Sequence, residues 1–223
     1  MPAPIDSRPI STSAGKRLRS DARRNRQRLL DSARELFATD GVEASVEEIT
    51  RRAGVGMGTL YRHFPTKEQL IDAVLEGAFA EFLALADSAL REDDPWRGVC
   101  QFLERALELH ARNRGLKDVL ATSAHGRGRA QAMRAQLWPL VTELVHRAHE
   151  QGTLRPDFAP EDIALVLWTG DRVIERSASF APELWRRFLG LLLDGLGAGS
   201  ATPLPVPPAT QAQLAPWARA GEG

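Results

Sequence analysis

Cysteine occurs once in this chain of 223 residues, at Cys100. That excludes an intramolecular disulfide and any cysteine-rich metal site. Lysine is nearly as scarce, at Lys16, Lys67 and Lys117, and arginine supplies the remaining basic charge. With the many alanines, this looks like a bias of genome composition rather than a mechanism. No apolar run approaches the roughly 18 residues that a membrane-spanning helix needs. The opening stretch "MPAPIDSRPISTSAG" lacks the apolar core of a signal peptide, so a cytoplasmic protein without membrane attachment is expected. Strand signals are missing too. Neither Asp40-Gly41 nor Asp194-Gly195 lies between β-rich runs, and no segment alternates apolar with polar.

What is present is helical. Hydrophobic residues make up 43% and charged residues 26%, enough for a sizeable core and a soluble surface. Leu29, Leu30, Ala33, Leu36 and Phe37 recur at steps of three and four, with Gly41 as a C-cap. Ser45 with Glu48, and Thr66 with Gln69, have capping-box spacing. The second of these opens a long helix to about Arg91. Asp94-Pro95 starts another helix, a short element "LKDVLATS" follows, and a helix over about 128–151 carries Pro139, which should kink it. Two closing helices span about 160–180 and 182–196. The expectation is an all-α chain of about nine helices. It divides into a disordered arm (1–19), a helix-turn-helix domain (20–67), a helical bundle (68–197) and a disordered Pro/Ala/Gly-rich tail (198–223).

Zero net charge conceals a polarity. Residues 1–67 hold 13 Lys/Arg against 8 Asp/Glu, net +5, and the rest hold 16 against 21, net −5. A basic front points to an anionic partner. The run "KRLRSDARRNRQR" reads either as phosphate contact or as a solvated face. Its first part is expected to precede the helix, free to reach along a groove.

Within "GVGMGTLYRHFPTKEQL", three glycines and a proline interrupt otherwise helical sequence. A short helix to Ala53, a turn at Gly54 and a second short helix over about 56–64 make a helix-turn-helix, whose second helix enters the DNA major groove. Gly56 and Gly58 remove bulk where backbone approaches phosphate. Thr59, Tyr61, His63 and Lys67 offer donors.

The stretch "RLLDSARELFATDGVEASVEEITRRAGVGMGTLYRHFPTKEQLIDAV" resembles the DNA-binding domain of TetR-family transcriptional regulators, over about residues 23–82. The resemblance implies a homodimer, one three-helix head per subunit, and a larger helical domain that binds a small effector and dimerises through about 160–180 and 182–196. It implies repression of an operator and release by the effector. An activator or an effector-independent regulator with the same head is the alternative. By position, Tyr61, His63 and Lys67 match family phosphate contacts, and Ser45 matches a cap that touches phosphate. Met57, Gly58, Thr59 and Arg62 lie where the family faces bases and nearby backbone. Gly56 departs, since many relatives carry serine there. That removes a hydroxyl contact.

The back half is less specific. Phe102, His110, Trp138, Trp168, Asp171 and Arg172 are the candidate effector contacts. The competing reading puts Asp171 and Arg172 in a subunit interface, with Leu165, Trp168, Phe188, Leu191 and Leu192 as its apolar seam. His110 also reads as a core histidine. His146 and His149 offer too few ligands for a metal, Cys100 reads as a small hydrophobe, and no cofactor is expected. No nucleophile–base pair or phosphate-cradling loop suggests an enzyme.

Overall fold

The computed structural model describes residues 13–113, 124–200 and 202–214. Its described residues are all-α: α1 (Ser13–Asp40), α2 (Val46–Ala53), α3 (Met57–His63), α4 (Lys67–Leu90), α5 (Pro95–Arg112), α6 (Ala124–Glu150), α7 (Pro160–Ser177), α8 (Leu184–Leu196) and α9 (Gln211–Leu214). The short element expected within 116–123 lies outside the described residues.

Two separate cores divide the chain. The head core gathers Leu29, Ala33 and Phe37 of α1, Ile49 and Ala53 of α2, Leu60 of α3 and Leu70, Val74 and Leu75 of α4. The body core begins at Phe82 of α4 and continues through Phe102, Leu103, Ala106 and Leu107 of α5, Leu144 of α6, Ile163 of α7 and Trp185 of α8. Glycine sets the closest crossings in the body. A Cβ at Gly98 would lie 2.6 Å from the Ala89 carbonyl oxygen, and one at Gly170 would lie 2.6 Å from a Leu107 methyl. Arg147 of α6 caps α4 by donating to the carbonyls of Leu90 and Glu92, which the helix itself cannot satisfy.

Three expectations need correction. α1 begins at Ser13, so the last part of the expected arm is helix and the basic run rides on α1 instead of trailing from it. α7 ends at Ser177 and α8 starts at Leu184, which shortens both closing helices relative to the sequence reading. The tail is not wholly without structure. Arg155 donates to the Thr202 carbonyl at 2.6 Å, and the Leu204 amide donates to Asp157 at 2.8 Å. Residues 156–159 and 204–208 then line a shared groove. Polar bonds hold this proline-rich segment, so an apolar period could not announce it.

Candidate nucleic-acid interface

The turn between α2 and α3 rests on two backbone facts. Gly54 caps α2 at φ 62°, ψ 40°, in the left-handed region. Its amide returns to the Arg51 carbonyl at 3.2 Å and the Val55 amide to that of Thr50 at 3.1 Å. A residue with a side chain is disfavoured there. The Gly54 carbonyl accepts from Arg28 of α1 at 3.1 Å, so the first helix braces the turn. Ile49, Ala53 and Leu60 close the angle from inside.

α2 is capped as its spacing predicts, with a difference. The Ser45 hydroxyl accepts from the Glu48 amide at 3.3 Å. Glu48 does not complete the box, because its carboxylate takes Arg51 Nε at 2.7 Å. The Ser45 hydroxyl proton goes to Glu47 at 2.7 Å, and this bond is the leading reason the Glu47 carboxyl sits below its usual range. Ser45 is thus oriented, with its proton committed to a carboxylate.

α3 hides Leu60 and presents Gly58, Tyr61 and Arg62. Tyr61 is 47% exposed, high for an aromatic ring. Gly56, the N-cap, has φ −79°. A Cβ at Gly56 or Gly58 would meet no protein atom within 4 Å. Neither the backbone nor the packing demands glycine at these two sites, unlike Gly54. Met57 is half-buried, and its sulfur accepts from the Thr50 hydroxyl at 3.4 Å. It leans on α2 more than a base-reading side chain should. His63 is half-buried as well. Its Nε2 is enclosed with no hydrogen-bond partner among the described residues, so that atom is not offered to phosphate. Burial, then Arg62 and Arg26, push its pKa down and keep the ring neutral near pH 7. Thr66 caps α4 by accepting from the Gln69 amide at 3.3 Å. Lys67 is the first residue of that helix, where amides and the dipole already favour an anion.

The structure therefore brings Ser45, Gly56, Gly58, Thr59, Tyr61, Arg62 and Lys67 into one short region and turns Met57 and part of His63 inward. The sequence places Arg26 and Arg28 in the basic run as phosphate contacts or a solvated face, and it does not reveal that they brace the turn and the end of α3. Arg26 lies 5.1 Å over the Phe64 ring. Both are distant in sequence from the groups they hold, and no spacing rule connects them.

In the body, His110 Nδ1 and Asp171 Oδ1 stand 3.6 Å apart, both side chains mostly buried. The His110 ring stacks on Phe82 at 5.6 Å, and Phe82 meets Phe102 edge-on at 5.8 Å. Four aromatic or polar groups so converge between α4, α5 and α7. Trp138 and Trp168 are half-buried. Arg172 is not part of this group. It is exposed and donates to Glu175 at 2.9 Å. Cys100 is half-buried, and burial pushes its thiol up to about 11. Among the described residues, no group of three or more His, Cys, Asp or Glu could hold a metal, and no helix is long and apolar enough to cross a membrane.

Comparisons with known proteins agree with this layout. The model of "Bacterial regulatory proteins, tetR family" matches residues 29–74, and that of "Transcriptional regulator SbtR-like, C-terminal domain" matches 94–198. A TetR transcription regulatory protein from Mycobacterium vanbaalenii is similar at 31% identity and TM-score 0.63, over 81% of this chain and 99% of that one. A TetR transcriptional regulator from Streptomyces coelicolor is similar at 28% identity and TM-score 0.62, over 78% and 99%. An HTH-type transcriptional regulator of Staphylococcus aureus is 47% identical over 60 residues, 26% of this chain and 32% of that protein. The match to such curated relatives thus spans about a third of their length.

Proposed function

The chain belongs to the TetR family of bacterial regulatory proteins, and on that premise we propose that it is a homodimeric transcriptional repressor, released from a near-palindromic operator by a small effector. The observation that carries the reading is the exposed face of α3. Gly58, Tyr61 and Arg62 are exposed on a helix that follows a turn made by a left-handed glycine, and its cap Gly56 and its Gly58 have no internal reason to lack a side chain. The basic face of α1 adds non-specific attraction for phosphate.

Dimerisation is supported by apolar side chains on and between the last two long helices. Leu165, Phe180, Leu184 and Leu191 are all exposed in the single chain, Phe180 by 73% and Leu191 by 65%. Such a concentration marks an interaction surface. Two heads so joined would meet successive major grooves. The effector reading rests on His110 and Asp171, a polar pair beside Phe82 and Phe102 in an otherwise apolar body. A ligand that prefers the DNA-incompetent spacing of the heads would shift the population off DNA. Activation, or regulation without effector, uses the same head. Comparing transcript levels after deletion of the gene separates these from repression.

The direct test is a mobility shift with the protein's own promoter region. Wild type should retard it at low salt. Tyr61→Ala with Lys67→Ala should weaken binding and lower the salt slope by about one for each phosphate no longer neutralised. No retardation by wild type, or undiminished retardation by the double variant, overturns the reading.

A further inference from the structure

α4 belongs to both cores, and the changeover is abrupt. Leu70, Val74 and Leu75 are buried in the head, with Ala78 and Phe79 packed against it. From Phe82 onward the helix faces the body. Between them stands Glu81, with a carboxylate that takes one guanidinium on each oxygen. Arg34 of α1 donates to Oε2 at 3.3 Å, and Arg112 from the last turn of α5 donates to Oε1 at 2.9 Å. Gly77, one turn earlier on α4, leaves room for this, since a Cβ there would lie 3.0 Å from Arg34 Nη2.

Among the described residues, several exposed ion pairs tie residues three or four apart on one helix, as in Arg91 with Asp87 and Arg172 with Glu175. Others join two helices, as in Arg52 with Glu35 and Arg186 with Glu104 and Glu108. Glu81 joins three elements at the point where the two cores part. Its Arg34 partner lies on the helix that also carries Arg28, the brace on the Gly54 turn. On the body side, Arg112 also lines a cleft of about 240 Å³ with Ile174 of α7 and Trp185 and Arg186 of α8.

We propose that Glu81 is a positioning residue that couples the end of α5 to the pose of the head. The proposal rests on the regulator reading above. With both guanidinium groups in place, one carboxylate adds a polar link between α1 and the end of α5, beside the continuous α4. A displacement of the α5 terminus that withdraws Arg112 leaves both oxygens to Arg34, and that link is lost. Exposed ion pairs are individually weak, so the expected effects are roughly two- to five-fold.

The test uses the full chain without ligand. Hydrogen exchange of α1–α3 amides is measured for wild type, Arg112→Gln, Glu81→Gln and the double variant, with Arg112→Lys as the charge-retaining control. Arg112→Gln, a change on the body, should speed head exchange by roughly two- to five-fold. Glu81→Gln should do the same, the double variant should go no further, and Arg112→Lys should restore most of the protection. Each variant should shift promoter affinity by a similar factor. Head exchange at the wild-type rate in Arg112→Gln, or additive effects in the double variant, overturns the coupling. Wild type that binds no promoter DNA sinks the regulator reading alone, because the exchange measurement still decides the link.

Discussion

Arg28 of α1 donates a hydrogen bond to the carbonyl of Gly54, 26 residues later, at 3.1 Å, and its guanidinium fills the space a Gly54 side chain would need. Gly54→Ala therefore meets two penalties at once. The left-handed backbone costs about 1–2 kcal/mol with a Cβ, and the brace must move because its Nη2 would lie 2.5 Å from that Cβ. Urea melts should show a loss of this order. Gly58→Ala is the counterpart. No protein atom lies within 4 Å of its would-be Cβ, and helix propensity favours alanine by about 1 kcal/mol. That variant should melt higher yet bind promoter DNA more weakly. Unchanged DNA binding would mean that Gly58 is not there for close approach.

The docked tail should respond to Asp157 and to strong acid. Its carboxyl is held down to about 2, first by Arg155 and then by the Leu204 amide. A carboxyl depressed in the folded state stabilises above its unfolded value, about 3.9, and loses that contribution as pH falls through the folded value. Docking should therefore be constant from neutral pH to about 4 and fade towards 2. Exchange of the Leu204 amide reports it directly. Asp157→Ala should release that amide at pH 7, while loss of protection already at pH 5 in wild type contradicts the assignment.

Leu191 is 65% exposed on α8, and a carboxylate there cannot be buried in a subunit interface without a large desolvation cost. Leu191→Asp should sediment as a monomer at micromolar concentration and keep its helical content. Its affinity for promoter DNA should fall more than ten-fold, since one head remains on each particle. A variant that still sediments as a dimer would place the interface elsewhere.

Much of the head was legible because its signals are local. Ser45, Gly54, Thr66 and the apolar steps from Leu29 to Phe37 each act within one or two helical turns, and each stands where its spacing puts it. The start of α1 was missed for a physical reason. Residues 17–21, near its start, are exposed, Leu18 by 71%, and periodicity reveals a helix only where one face is covered. The tail escaped for a related reason, as backbone carbonyls and amides hold it and those are the same in every sequence. The candidate effector residues were half legible. The sequence places Asp171 and Arg172 side by side on one helix, but adjacent residues there point about 100° apart. Asp171 turned to His110 and Arg172 to solvent.

By itself the sequence determined the helical class, the polarity of charge and the turn at Gly54, because propensity, capping and backbone sterics are properties of neighbours along the chain. Only the tertiary structure decided that the apolar faces form two cores rather than one, that α4 passes between them, and that Glu81 meets Arg34 and Arg112 there. An apolar stripe states that a face is buried without naming what covers it. Charges 47 and 31 residues apart become partners only when packing has set the helices side by side.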